Sequence, residues 1–272
     1  LAVLKDVARL RAGTVLEASD GNQLLGKLGH RVIEKLFQQG DSLHWSQAQA
    51  ESWFDSIVDT LLHAEGAPLL MPGMSVELHR FKQTCRRAVV SLLAHLRAAG
   101  AVQVQTEVEI KGAFASEPFI AILDLLVTLP KGPRVVLDLK WSRAKHYREL
   151  LSEGRHLQLA LYAGLARDTL GELPATVGYF IFQGTELMVT HEGVFPGAEV
   201  CLPPGGATLS EIYVAAIATW KWRQEEWSKG AVEGVDKRFG KLEDAKRPEG
   251  TLALEEVGRY DGDLLALLGA WS

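Results

Sequence analysis

The sequence predicts an α/β (α+β) fold in which a helical first part precedes a mixed β-sheet flanked by helices. Two observations carry this prediction: apolar residues recur with helical spacing through residues 1–100, and from Ala101 the apolar period changes to two. We expect one domain over residues 1–272. It would comprise a mainly helical part at 1–100, a sheet with its helix at 101–195, and C-terminal helices and a tail at 205–272.

The helices and strands can be predicted in order along the chain. Turns rich in glycine and proline, such as Gly66-Ala67-Pro68 and Pro72-Gly73, separate three helices at 22–38, 45–63 and 75–99. Strands follow where apolar residues alternate or run unbroken, and Pro130-Lys131-Gly132-Pro133 divides the second strand from the third. The predicted later elements are strands at 102–110, 119–129, 134–141, 175–182 and 186–190, and helices at 157–168 and 210–229.

Composition limits the class of protein. The 272 residues are 47% hydrophobic and 23% charged, which excludes collagen-like and disordered chains. The two cysteines, Cys85 and Cys201, cannot form a disulfide framework or a four-thiolate zinc or iron–sulfur site within this chain. Neither a bilayer-spanning run nor a signal peptide is evident, so we expect a reduced, cytoplasmic setting. The chain begins with Leu1, which leaves open that it is a piece of a longer protein.

The net charge of −5 argues against a protein coated in basic surface for nucleic-acid binding, although it allows a local basic groove. One candidate stretch lies after the third predicted strand, where basic residues outnumber acidic ones. Such a stretch could grip phosphates, and it could equally be a solvated loop. Its candidate contacts are Arg143, Lys145, Arg148 and Arg155.

Two acids lie in strands where an unpaired carboxylate is costly. Asp124 interrupts an apolar run, and Asp138 lies in another, two residues before Lys140. Pairing of the two strands about Lys131 would make the aspartates direct cross-strand neighbours, provided that the loop has an odd number of residues or a bulge. A bound divalent cation would then relieve their repulsion. The alternative is a buried salt bridge in which Lys140 neutralises one aspartate.

Two helices carry further candidates. Gly26 and Gly29 lie in an otherwise favourable helix, which suggests close backbone packing or the approach of a ligand. His30 and Glu34 share a face of that helix and could hold a metal or each other, although a lone histidine is more often structural. In a later helix, Gln158 and the residue four positions on, Tyr162, also share a face; an amphipathic helix with a partly exposed tyrosine explains that pair as well.

In this order, the pieces resemble the PD-(D/E)XK nuclease superfamily, in particular its RecB-like branch of helicase–nuclease and exonuclease domains. The resemblance implies a restriction-endonuclease-like core and spans roughly residues 26–162. Its elements are Gly26-x-x-x-His30, Glu107, Asp124, Asp138-x-Lys140 and Gln158-x-x-x-Tyr162.

The resemblance implies a divalent-metal-dependent DNA nuclease. In it, Asp124, Asp138 and the backbone carbonyl of Leu139 would coordinate Mg²⁺, with Mn²⁺ acceptable because His30 would complete the site. Lys140 would orient or help deprotonate the attacking water, and Glu107 would support the metal. Gln158 and Tyr162 would position the substrate strand.

The chain departs from the family pattern in ways that leave alternatives open. Ala121 stands where the family often has glycine, and Glu109 shares the polar face of Glu107. The iron–sulfur cluster of some relatives is excluded. A catalytically inactive DNA- or protein-binding module, or an enzyme for small phosphoesters, remains an alternative. The resemblance further suggests a role in DNA repair, recombination or defence, a fused or associated helicase, and, in a bacterium, a place near the nucleoid.

Overall fold

Three helices precede the sheet, as the periodicity predicts. The computed structural model describes residues 21–202, 205, 207–230 and 247–252. Its helices are α1 (Gly21–Phe37), α2 (Gln47–Glu65), α3 (Ser75–Ala98), α4 (Ala144–Ser152), α5 (Leu157–Leu170) and α6 (Leu209–Ser228). Short 3₁₀ helices span Ser42–His44 and Ala67–Leu70. Among these described helices, none has both the length and the hydropathy to cross a bilayer.

The sheet has six strands in sequential order, and it confirms the predicted fold class. Its strands are β1 (Gln103–Phe114), β2 (Glu117–Thr128), β3 (Arg134–Lys140), β4 (Thr176–Ile181), β5 (Glu186–Val189) and β6 (Glu199–Val200). Strands β3 and β4 run parallel, as do β5 and β6, whereas the other neighbours are antiparallel. The parallel pair β3–β4 is joined by α4 and α5, as a parallel connection requires.

The chain divides into two compact units, one of residues Ala18–Tyr213 and one of Leu1–Glu17 with Val214–Ser272. The first unit contains the sheet and every candidate site residue. The predicted tail and most of helix α6 fall in the second unit. Residues 231–246 and 253–272 of this unit lie outside the described residues. The expectation of a single domain over residues 1–272 stays a prediction.

Two hydrophobic clusters cover the two faces of the sheet. One joins α1, α2 and α3 to residues such as Leu137 and Leu139, and the other joins α4 and α5 to residues such as Val136. Because neighbours along a strand point to opposite faces, β3 is buried on both sides. This double burial accounts for its nearly unbroken apolar sequence.

The turn between β2 and β3 has an odd number of residues, as the predicted pairing about Lys131 requires. Five residues, 129–133, connect the strands, and the register pairs Leu125 with Leu137 and Thr128 with Arg134. Lys131 (φ 70°) and Gly132 (φ 103°) take left-handed conformations in this turn. The predicted register is therefore confirmed, with an odd loop centred on Lys131.

In strands β1 and β2, the alternation of side chains between the two faces of the sheet reverses at one point along the strands. Val104 packs against the cluster of α1–α3, whereas Ile110 lies in the cluster of α4 and α5. Between them, Glu107 adopts a left-handed backbone conformation (φ 51°), and the regular pairing skips it and the opposite residue, Asp124. The period-two alternation predicts one shared face for the even-numbered residues from Val102 to Ile110, and this prediction is wrong because the irregularity at Glu107 reverses the alternation.

Gly178 in the central strand β4 leaves no room for a side chain. A Cβ there would lie 2.2 Å from the backbone oxygen of Met188 on β5. Since this neighbour is backbone, Gly178→Ala should lower the free energy of unfolding by about 3 kcal/mol or more, at the upper end of overpacking effects. Denaturant unfolding would measure the change, with Gly21→Ala as the control because a Cβ at Gly21 meets nothing within 4 Å. Equal stability of the two variants would contradict the packing described.

Candidate active site

Helix α1 approaches the end of β3 closely, and its glycines allow that approach. A Cβ on Gly29 would lie 3.1 Å from Phe182 and 3.2 Å from Trp141, and one on Gly26 would lie 3.6 Å from Trp141. The contacts support close packing as the explanation for Gly29, whereas the 3.6 Å at Gly26 is an ordinary contact distance. The approach places His30, on the same helix, beside the sheet.

The backbone of Leu139 connects His30 to Asp124. Nε2 of His30 lies 2.9 Å from the Leu139 carbonyl oxygen, and the Leu139 amide donates to Oδ2 of Asp124 over 2.7 Å. Nδ1 of His30 is 3.6 Å from Oδ1 of Asp124. A hydrogen bond to the carbonyl oxygen requires the proton on Nε2. Neutral His30 would then present the lone pair of Nδ1 towards Asp124, where a cation could bind.

Glu107 completes a cluster with His30 and Asp124. One ligand atom from each of the three side chains lies within 4.8 Å of the others, which is close enough for a shared cation. Partial burial, and then the neighbouring Asp124 carboxylate, raise the pKa of Glu107. Glu109, the alternative that the sequence left open, instead pairs with Lys111 over 2.8 Å. Glu34 likewise forms an ion pair, with Arg31, and lies outside the cluster.

A second group surrounds Asp138, which is only 1% exposed. Its Oδ2 forms an ion pair with Nζ of Lys140 at 2.7 Å, and its Oδ1 accepts from Gln158 over 2.9 Å. The Gln158 amide also donates to the Tyr162 hydroxyl (2.7 Å), and its oxygen accepts from Lys140 (3.2 Å). Helix α5 therefore places Gln158 between the predicted catalytic pair and Tyr162.

Burial and the nearby Asp124 carboxylate raise the pKa of Asp138 to about 6, and Lys140 only partly opposes them. Burial lowers the pKa of Lys140, but its ion pair with Asp138 outweighs burial and raises that pKa overall. Near neutral pH, the resting site therefore holds an ammonium at Lys140 and a destabilised carboxylate at Asp138.

The two groups adjoin around the Leu139 peptide, and the aspartates do not form the direct cross-strand pair that the sequence suggested. The regular β2–β3 ladder ends at Leu125 and Leu137, and Asp124 accepts from the amide of Leu139 instead. The cause is the change of face at Asp124, which turns its carboxylate towards α1. Asp138 contacts α5, yet the negative charge of Asp124 still raises its pKa.

The basic residues after β3 lie on or beside α4, a helix that the sequence analysis missed. Arg148 forms ion pairs with Glu199 (2.6 Å) and Glu186 (2.8 Å), and Arg155 forms one with Glu153 (2.9 Å). Lys145 lies 3.8 Å from Glu149, and Arg143 has no carboxylate partner in the described part of the chain. The four are therefore not equivalent, because Arg148 is fixed to β5 and β6.

Two tyrosines that the sequence analysis did not single out border the second group. Tyr179 of β4 is the register partner of Asp138, and Tyr147 of α4 lies 4.8 Å from Tyr179 between ring centroids. Nζ of Lys140 is 6.0 Å from the centroid of Tyr147. The sequence could have indicated that Tyr147 lies near the site only if α4 had been predicted. A helix that begins at Ala144 turns Tyr147 back towards β3.

Comparison with known families decides the assignment that this geometry suggests. A sequence model of the PD-(D/E)XK nuclease superfamily matches residues 2–240. The chain belongs to this superfamily. No curated protein shows a significant sequence match. The solved structures that the chain matches include a proposed exonuclease of Eubacterium rectale (12% identity, 94% of this chain and 99% of that chain, TM-score 0.40) and the protein VC1899 of Vibrio cholerae (13%, 78% and 57%, TM-score 0.26).

The donor set fits the divalent metals that PD-(D/E)XK nucleases use. Carboxylate oxygens with one imidazole suit Mg²⁺ and Mn²⁺. Oδ2 of Asp138, buried and paired with Lys140, adds a further negatively charged oxygen beside the cluster.

Glu107 and Glu109 form a matched pair of variants for testing the cluster. Glu107→Gln removes a charge from the three-residue cluster and should weaken Mn²⁺ binding by about 10-fold or more, whereas Glu109→Gln only breaks an exposed ion pair. Mn²⁺ titration followed by electron paramagnetic resonance would compare them. Equal affinities for the two variants would remove Glu107 from the metal site.

Proposed function

We propose that the protein is a divalent-metal-dependent nuclease that hydrolyses phosphodiester bonds in DNA. The observation that carries the proposal is the Leu139 peptide, which joins the His30–Glu107–Asp124 cluster to the Asp138–Lys140 pair. Membership of the PD-(D/E)XK nuclease superfamily supports the reaction class. Metal dependence and the preference for DNA are the parts that experiments must test.

The metal would be held by Asp124, His30 and Glu107, with Asp138 and the Leu139 carbonyl oxygen completing its shell. When bound, it would polarise the phosphate and acidify a water molecule. The His30 imidazole contacts the Leu139 carbonyl in the structure, so it would have to share or release this oxygen for the carbonyl to serve as a ligand.

Lys140 would orient the attacking water and stabilise negative charge developing on the phosphate. Its raised pKa favours this role over that of a general base, because an ammonium has no lone pair with which to accept a proton. Gln158 fixes the ammonium by accepting its hydrogen bond while donating to Asp138. Tyr162 shares the Gln158 amide and would contact the substrate strand from the same helix.

The substrate phosphates would contact two basic residues at the start of α4 that are not fixed by strong ion pairs, Arg143 just before the helix and Lys145 within it. Each phosphate contact releases counterions, so losing both should reduce the log–log salt slope of DNA affinity by about 0.7–0.9 per contact. Affinity measured in Ca²⁺, which should permit binding with little cleavage, would test this with a double alanine variant. As a control, Arg148→Ala should lower stability and leave the slope unchanged. An unchanged slope in the double variant would place the groove elsewhere.

Cleavage of a plasmid and of a labelled linear duplex tests the proposal directly. We expect cleavage with Mg²⁺ or Mn²⁺ and none with a chelator, and a preference for long DNA over a nucleotide-sized phosphoester. Binding of DNA without cleavage in any metal would favour an inactive binding module. Cleavage of the small ester alone would favour a phosphoesterase.

The biological setting is proposed on the resemblance alone. It favours a RecB-like nuclease acting in repair, recombination or defence, in the cytoplasm and near the nucleoid in a bacterium. Since the chain is acidic overall, a fused or associated helicase could supply DNA affinity. The full reading frame of the parent gene would reveal a fused motor domain.

A further inference from the structure

Helix α4 holds an aromatic ring against the proposed catalytic lysine. It begins at Ala144, four residues after Lys140, and carries Tyr147 on its first turn. The Tyr147 ring lies 6.0 Å from the Lys140 ammonium and 4.8 Å from the ring of Tyr179, the strand neighbour of Asp138. The Tyr147 ring is therefore a neighbour of both the Lys140 ammonium and the Tyr179 ring.

The next residue, Arg148, ties this part of α4 to the sheet through a bracket of ion pairs with Glu186 and Glu199. Arg148 donates from Nε and Nη2 to both carboxylate oxygens of Glu199 on β6, at 2.6 and 2.8 Å, and from Nη2 to Glu186 on β5, at 2.8 Å. Forked arginine–carboxylate contacts of this kind are geometrically specific. Leu151, which is fully buried, fastens the end of the same helix. The helix is thus held to the sheet at two points, one of them beside Tyr147.

Lys140 needs such a constraint because its stem is flexible. An ammonium on a four-carbon chain has many rotamers of similar energy, and its charge is compact and strongly hydrated. Asp138 and Gln158 contact it from two sides. The Tyr147 ring is a further neighbour, with its centroid 6.0 Å from the ammonium, and an aromatic face within this range attracts a cation.

We infer that Tyr147 is a positioning residue that holds the Lys140 ammonium in its reactive orientation, with the Arg148–Glu186–Glu199 bracket holding Tyr147 in turn. The inference rests on the proposed function, in which Lys140 acts on the attacking water. The inference assigns the effect of Tyr147 to its ring and not to its hydroxyl, because it is the ring that lies near the Lys140 ammonium.

Substitutions that separate the ring from the hydroxyl test this. Tyr147→Phe keeps the ring, whereas Tyr147→Leu keeps only apolar bulk. We expect the leucine variant to lose about 3- to 30-fold in kcat, the range of a cation–π contact, with KM and DNA affinity in Ca²⁺ unchanged. The phenylalanine variant should recover most of that loss. Glu149→Leu, an exposed change on the same helix, controls for effects on α4.

A second readout does not depend on activity. With ¹³C-labelled lysine, the Lys140 side-chain signal, assigned through Lys140→Gln, should show a ring-current shift in the parent and in Tyr147→Phe that is lost in Tyr147→Leu. Equal kcat for the parent and Tyr147→Leu would overturn the inference, as would equal losses in the two Tyr147 variants, or absence of the ring-current shift. Absence of cleavage by the parent in any metal would instead overturn the proposed function.

Discussion

Replacing Asp138 by asparagine is expected to abolish cleavage, by about 10³-fold or more, while making the metal-free protein more stable. The activity would fall because asparagine removes a charged oxygen from the proposed metal shell and the ion-pair partner of Lys140. Stability would rise because the same carboxylate is buried, lies near Asp124 and is only partly compensated. Opposite signs for function and stability are the signature of a residue retained for chemistry.

The stability change should depend on pH in a defined direction. The pKa of Asp138 is raised from 3.8 to about 6, so the folded state holds this proton more tightly than the unfolded state does. The contribution of Asp138 to the free energy of unfolding therefore falls as pH rises from about 4 to about 6, by roughly 2–3 kcal/mol. Asp138→Asn should remove this fall and gain a similar amount at pH 7.

Denaturant unfolding in chelator, from pH 4 to pH 8, would measure the free energy of unfolding of the parent and of Asp138→Asn. Glu109→Gln is the control, because its exposed carboxylate should affect neither activity nor this pH window. Cleavage by Asp138→Asn at the parent's rate would contradict a catalytic role for Asp138. An unchanged pH profile of stability would show that the buried carboxylate is better compensated than the contacts indicate.

Replacing Lys140 by glutamine is expected to lower kcat by about 10²- to 10⁴-fold while metal binding persists. The metal-free protein should lose stability above pH 6, since Asp138 would keep its burial and the Asp124 repulsion and lose its cation. The double variant with Asp138→Asn should recover that stability without recovering activity. A double-mutant cycle by thermal unfolding would measure the coupling. Independent effects of the two changes on stability would contradict the ion pair.

Much of the architecture followed from local patterns. Period-two alternation, helical periodicity and the proline-bounded turn at 130–133 predicted β1 to β5 and the first three helices to within a few residues, but not the two-residue strand β6. The register of β2 on β3 could be predicted only on the condition of an odd loop or a bulge, and the five-residue loop at 129–133 meets that condition. Helix α4 was missed because its sequence is short and strongly charged, and tertiary contacts of Arg148 and Leu151 stabilise it.

The arrangement of the site depended on features that no single strand pattern reveals. The left-handed backbone at Glu107, a residue type that seldom adopts it, breaks the pairing opposite Asp124 and turns both acids towards His30. Sequence alternation alone could not anticipate that reversal. The role of Tyr147 was equally hidden, because it depends on a helix that the periodicity did not predict.

Binding of a single Mn²⁺ ion to the purified protein tests the central claim most directly. Isothermal titration should show one saturable site in the parent, strongly weakened in Asp124→Asn, because that aspartate belongs to the cluster and adjoins the second group through Leu139. Glu109→Gln should bind as the parent does. A parent that binds no Mn²⁺, or that binds it as well after Asp124→Asn, would contradict a metal-dependent centre at this end of the sheet.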